Sequence, residues 1–86
     1  MANSFQVSIF TPQGASYSGN ITSLVVPAEL GYLGVLANHA PLVANLSAGK
    51  ITFQESSGGK QVSIHTKGKG IIEVLKNNVI LLLDNL

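Results

Sequence analysis

Cysteine is missing from all 86 residues, which excludes disulfide frameworks, thiolate zinc sites and thiol nucleophiles together and suits a reducing compartment. Tryptophan and arginine are missing too. The five cations are Lys50, Lys60, Lys67, Lys69 and Lys76, spaced apart in a chain of net charge +1, so no basic stripe exists to follow a phosphate backbone. Nucleic acid is thereby disfavoured as a partner. Charge of either sign is scarce: 10% of residues are charged, against roughly 25% in ordinary soluble domains. With 45% of residues apolar, part of the surface is expected to be covered by something else. At this length residues 1–86 form one domain, with little stability to spare after chain entropy.

Long hydrophobic runs are also absent. The longest aliphatic stretch, residues 79–83, falls far short of the ~20 residues that span a bilayer. The start, Met1-Ala2-Asn3-Ser4, has no charged segment followed by an apolar one. No direct membrane insertion is expected, and any membrane association would run through another protein. Asn20-Ile21-Thr22 and Asn45-Leu46-Ser47 match the glycosylation pattern, but no export signal accompanies them.

What the chain does have is alternation of period two. Residues 4–10 place Phe5, Val7 and Ile9 on one face and Ser4, Gln6 and Ser8 on the other, the pattern of a half-buried strand. Thr11-Pro12-Gln13-Gly14 reads as a turn. Residues 15–18 and 20–26 resume extended character around Gly19, which would mark a bulge or bend, and Pro27 closes the run. Residues 49–54 set Ile51 and Phe53 against Lys50, Thr52 and Gln54. Residues 60–66 set Val62 and Ile64 against Gln61, Ser63 and His65. Ser56-Ser57-Gly58-Gly59 joins these two runs into a predicted β-hairpin. A second hairpin is predicted from residues 71–75 and 79–83 around Lys76-Asn77-Asn78. No stretch shows a capped helical period, so the fold class is all-β, a sandwich or barrel. Residues 79–83 are apolar at both parities, as in a strand covered on both faces.

One segment departs from plain alternation. Residues 31–42, Gly-Tyr-Leu-Gly-Val-Leu-Ala-Asn-His-Ala-Pro-Leu, are punctuated by glycine and end in a histidine and a proline. Glycine permits backbone angles and close approaches that a side chain forbids, and Pro41 fixes one dihedral and removes one donor.

Catalytic chemistry is thinly represented. The histidines are His39 and His65 and the acids are Glu29, Glu55, Glu73 and Asp84, with no spacing that suggests a metal ligand set or a carboxylate pair. His65 falls on the polar parity of its strand, where solvation is the ordinary state. His39 has two readings, a loop-fixing hydrogen bond or a partner contact. No serine elbow is present, and Lys67-Gly68-Lys69-Gly70 lacks both the phosphate-loop pattern and a helix to follow it. No catalytic residue, metal or cofactor is assigned, and the chain is read as non-enzymatic. A hydrolase using His39 or His65 with a nearby serine would require an activity that is lost with both histidines. A free-standing β-sandwich binding a ligand or another protein is the main alternative. For a carbohydrate it would need an aromatic platform from Phe5, Phe10, Phe53, Tyr17 and Tyr32.

Taken together, Tyr17-Ser18-Gly19, Pro27 through Gly31, Leu33-Gly34-Val35-Leu36, His39-Ala40-Pro41-Leu42 and Gly70-Ile71-Ile72-Glu73-Val74 resemble the N-terminal domain of the epsilon subunit of F-type ATP synthases, in unbroken order across essentially the whole chain. The resemblance implies a flattened β-sandwich of about ten short strands in two packed sheets. It implies a non-catalytic rotor subunit on the central stalk, one side against the gamma subunit and one end on the membrane rotor ring of c subunits. Such a subunit helps to couple proton flow to ATP synthesis. It also implies a peripheral place on the cytoplasmic face of a bacterial inner membrane, with the stromal face of a plastid membrane as the lesser alternative, and no small-molecule substrate of its own.

Carried over by position, Gly31, Leu33 and Gly34 match the family's ring-facing loop, and His39, Ala40, Pro41 and Leu42 match the segment after it. Tyr32 stands where relatives commonly carry an acid, with Glu29 near enough to supply the charge. Ala37-Asn38 stands where Pro-Gly is common, and asparagine can still take the left-handed turn. Lys69 replaces a small residue in the family's glycine pair before Ile71. The partner-binding residues expected on this basis are Glu29, Gly31, Tyr32, Leu33, Gly34, His39, Ala40, Pro41 and Leu42. Relatives usually continue into a helical hairpin that inhibits ATP hydrolysis. That activity is not carried over to a sequence that stops at Leu86.

Overall fold

A computed structural model describes residues 3–84, leaving Met1, Ala2, Asn85 and Leu86 outside the description. Eight strands account for its regular structure: β1 (Phe5–Thr11), β2 (Gly14–Ala28), β3 (Gly31–Leu36), β4 (Leu42–Leu46), β5 (Gly49–Glu55), β6 (Gln61–Thr66), β7 (Gly70–Leu75) and β8 (Asn78–Leu83). The all-β class holds among the described residues. Eight strands are described where the family resemblance implied about ten, and the runs on either side of Gly19 are one continuous strand.

That strand, β2, organises the architecture. Its first half pairs antiparallel with β1, from Phe5↔Ile21 to Thr11↔Gly14. Its second half exchanges β1 for β3 along one edge, while β5, and then β4 at Ala28↔Leu46, take the other. The exchange occurs where the β5 register slips between Ile21 and Ser23, the local irregularity that lets a strand bend from one layer into the next. One layer is then β1-β8-β7-β4 and the opposite one is β3-β2-β5-β6. Only the β1–β8 ladder is parallel among these pairings.

Period-two alternation fills the space between the layers. Phe5, Val7 and Ile9 from β1, Leu24 and Val26 from β2, Ile51 and Phe53 from β5, Ile72 and Val74 from β7, and Val79, Leu81 and Leu83 from β8 are all buried in one cluster. Both predicted hairpins form, with Ile51↔Ile64 and Phe53↔Val62 in one and Ile72↔Leu81 and Val74↔Val79 in the other. Turn chemistry fits the second: Lys76 and Asn77 have φ of 50° and 60°, the left-handed pair that a two-residue hairpin loop requires. Residues 79–83, apolar at both parities, are covered by this chain on one parity alone. Val79, Leu81 and Leu83 point into the core, but Leu82 is 49% exposed and Ile80 half-buried, so the strand is covered on one face within this chain.

Candidate functional site

Residues 31–42 are mostly strand, not loop. Gly31 to Leu36 form β3, with Val35 buried and Leu33 packed against the core, and the exposed turn that precedes it is Glu29-Leu30. Glu29 is held by its backbone N–H, which donates to the Asn45 carbonyl at 3.1 Å. Leu30 is fully exposed at the tip. Gly31 has φ 129°, which accounts for glycine there by backbone conformation alone. Gly34 is different: a Cβ built on it would meet nothing within 4 Å, and its φ is ordinary. Nothing in the fold demands a glycine at position 34, which leaves close approach by another surface as a reason for one.

Tyr32 lies on the outer face in register with Pro27, 64% exposed. Its Oη accepts a hydrogen bond from the Lys50 backbone N–H at 3.3 Å. A Cβ at Gly49 would sit 2.7 Å from Pro27 Cβ and 3.1 Å from Tyr32 Oη, so Gly49 is the floor beneath this aromatic lid. The side chain that stands in an acid's place is therefore laid down along the sheet.

The expected contact residues separate into two groups. Glu29, Gly31, Tyr32, Leu33 and Leu42 line one open groove of about 560 Å³ between β3 and β4. His39, Ala40 and Pro41 occupy the turn at the far end of β3, and Gly34 faces outward between the two groups. The half-buried His39 makes hydrogen bonds within its own loop: its Nδ1–H donates to the Ala40 carbonyl at 2.8 Å, and its backbone N–H to the Leu36 carbonyl at 3.2 Å. Pro41 and Leu42 border a second depression with Glu73 and Leu75. Asn38 takes φ 65°, the left-handed turn expected of it. His65 is exposed opposite Lys50 on the polar outer face of the β5–β6 hairpin.

A surface that local reading had not assembled lies on the opposite layer. Phe10, Leu82 and Ile71 stand side by side in register across β1, β8 and β7, at 38%, 49% and 42% exposure. The adjacent row sets Ile80 beside Glu73 and Val43, the last 69% exposed. A groove of about 490 Å³ runs along the end of this face past Lys69 and Asp84. Its outline was present in residues 79–83, apolar at both parities. Phe10 and Val43 carried no such signal, because only cross-strand register brings them there. The β5–β6 face is the counterpart, with Gln54, Thr52 and Lys50 opposite Gln61, Ser63 and His65.

The Tyr17 phenol is perturbed. Burial first, and then the hydrogen bond and charge of Glu55, push the Tyr17 phenol above its usual range. Its Oη donates to Glu55 Oε2 at 2.8 Å, and its ring tilts against Phe53 with centroids 4.7 Å apart. Among the described residues no three His, Asp or Glu side chains gather into a metal site, and no helix is long and apolar enough to cross a membrane.

Comparison with known proteins places this geometry. The family described as ATP synthase, Delta/Epsilon chain, beta-sandwich domain matches residues 4–86. The ATP synthase epsilon chain of Dichelobacter nodosus is 42% identical over 84 residues, spanning 98% of this chain and 57% of that one. The epsilon chain of Leptospira borgpetersenii serovar Hardjo-bovis is 39% identical over 84 residues, spanning 98% and 64%. The chain thus covers about three fifths of the length of these relatives. Two solved assemblies contain the same fold. A chain of the Euglena gracilis mitochondrial ATP synthase (OSCP/F1/c-ring) superposes with TM-score 0.85 at 19% identity, covering 96% of this chain and 52% of that chain. A chain of the Tetrahymena thermophila mitochondrial ATP synthase central stalk and c-ring superposes with TM-score 0.77 at 16% identity, covering 93% and 63%.

Proposed function

Since the chain belongs to the ATP synthase delta/epsilon β-sandwich family, we propose that it is a non-catalytic subunit of the rotating central stalk of a proton-translocating F-type ATP synthase. In this reading it helps fasten the gamma subunit to the ring of c subunits, so that rotation of the ring reaches the catalytic head. It sits peripherally on the cytoplasmic face of a bacterial inner membrane. It needs no cofactor and turns over no substrate.

The observation that carries this reading is the apolar patch on the outside of one layer. On the other layer the β5–β6 half presents glutamine, threonine, serine, lysine and histidine to water, and the β2–β3 half exposes Val25, Tyr32 and Leu36. The β1-β8-β7-β4 face presents Phe10, Leu82, Ile71, Val43 and Leu75. Scattered exposed apolar side chains need no explanation, but a contiguous set in register across four strands marks an interaction surface. We assign that face to gamma. The end bearing Glu29, Leu30, Gly31 and Tyr32, with the β3–β4 groove behind it, is assigned to the polar loops of the ring.

Co-purification tests it. The chain, mixed at micromolar concentration with gamma and ring subunits from its own source, is expected to be recovered with them. Recovery with neither would remove the proposal.

A further inference from the structure

Glu73 lies in the middle of the exposed apolar face. It sits on β7, an inner strand between β4 and β8, in register with Val43 on one side and Ile80 on the other. Along its own strand the outward neighbours are Ile71 and Leu75, 42% and 49% exposed. Among the described residues its carboxylate has no hydrogen bond or ion pair. Its side chain is exposed. The surrounding rows, Phe10-Leu82-Ile71-Asn45 and Ser8-Ile80-Glu73-Val43, contain no lysine.

Whatever covers the apolar side chains around Glu73 must also strip its water. A carboxylate left dry and unpaired costs more than the neighbouring apolar contacts return, so a stable cover has to bring it a positive partner. A second copy meeting this face row on row would bring carboxylate toward carboxylate, because the cation that borders the face, Lys69, stands at its end beside Phe10, Ile71 and Leu82 and not in the rows around Glu73. An anionic lipid surface would repel it.

We propose that the surface docking on β1-β8-β7-β4 is an apolar protein surface carrying one lysine or arginine aimed at Glu73. That charge pair fixes the register in which the two surfaces meet. The inference rests on the stalk reading above and names the chemistry of the face assigned there to gamma. Apolar contact alone would tolerate sliding, whereas a single charge pair surrounded by apolar contacts is satisfied in one alignment.

The probe is the purified gamma subunit, titrated with the wild-type chain and with E73Q, E73L and E73K at low and moderate salt. Glu73 is exposed, so unfolding midpoints close to wild type are expected and are measured as a control. E73Q is expected to weaken binding about tenfold or more, and E73K further, because each leaves the partner's cation unmatched. E73L separates the alternatives: it enlarges the apolar face, so it would tighten a purely apolar contact, yet it is expected to weaken this one. Changing the matching basic residue of gamma to glutamate should restore binding by E73K. If wild type binds gamma and E73Q or E73L binds as well or better, the inference is overturned while the stalk reading stands. If wild type fails to bind gamma, the stalk reading falls and this inference with it. Self-association of wild type in competition with gamma would also overturn it, in favour of a second copy as the cover.

Discussion

Asn38 and Asn77, 39 positions apart in the chain, exchange two hydrogen bonds: the Asn38 backbone N–H reaches Asn77 Oδ1 at 2.6 Å, and Asn77 Nδ2 reaches Asn38 Oδ1 at 3.0 Å. Both residues hold left-handed backbone, with φ of 65° and 60°. The Asn77 carbonyl also accepts the Gln6 backbone N–H at 3.0 Å. One residue thus ties the turn after β3, which pairs with β2, to the β7–β8 turn and the start of β1 in the opposite layer.

Substitution separates the backbone role of Asn77 from its side-chain role. Asn77→Gly keeps the left-handed conformation without strain and loses only the exchange, for an expected cost of about 1–2 kcal/mol. Asn77→Ala loses the exchange and adds left-handed strain of roughly 1–2 kcal/mol, so it should be clearly the worse of the two in urea unfolding. Asn38→Gly combined with Asn77→Gly should cost less than the sum of the singles, since both remove the same interaction. Equal stability of the Gly and Ala variants at position 77 would contradict the clasp.

Tyr17 gives the fold an alkaline limit. Its phenol is raised above the ordinary value near 10, so the native state favours the neutral form. The stability it contributes is fully present below the unfolded pKa and is lost as pH rises through the folded one. Tyr17→Phe keeps the ring against Phe53 but removes the bond to Glu55. It should cost about 0.5–1.5 kcal/mol at neutral pH and flatten the loss of stability above about pH 10, read from urea midpoints across that range.

Two glycine-to-alanine changes should behave oppositely. Gly49→Ala drives a methyl to 2.7 Å from Pro27 Cβ beneath Tyr32; the proline ring has little freedom to yield, and about 1–3 kcal/mol of stability should be lost. Gly34→Ala meets nothing and keeps an ordinary φ, so stability should hold or rise by about 0.4–1 kcal/mol. If position 34 lies under a docked subunit, that stable variant should nonetheless bind gamma and ring subunits less well. Unchanged binding would show that no partner approaches the backbone there.

Where alternation was undisturbed, the fold was legible in the sequence. β1 and both hairpins follow from one apolar and one polar parity, and their registers follow from short polar turns. β3 was obscured because Tyr32 and Leu36 are apolar and face outward, hiding the inward pair Leu33 and Val35. Gly19 suggested a bend, but a Cβ there would meet Tyr17 Oη at 3.0 Å. Its absence makes room for a ring, and the strand changes partners farther on, between Ile21 and Ser23. Pro27 was read as a stop, yet β2 continues to Ala28, with the Pro27 carbonyl accepting the Ser47 N–H at 2.8 Å. The contact residues inferred from resemblance are all near the surface, but they divide between the Glu29-Leu30 end and the His39 turn. The apolar face depends on which strands pair, a fact that no local pattern contains.

The most direct test of the stalk assignment is functional reconstitution. Vesicles carrying the matching synthase stripped of its own epsilon subunit are energised with a proton gradient, and ATP synthesis is measured with and without this chain. Added in stoichiometric amount, the chain should rebind gamma and the ring and raise proton-driven synthesis well above the stripped level, while E73K should not. Synthesis that stays at the stripped level, with no chain recovered on the vesicles, would contradict the assignment.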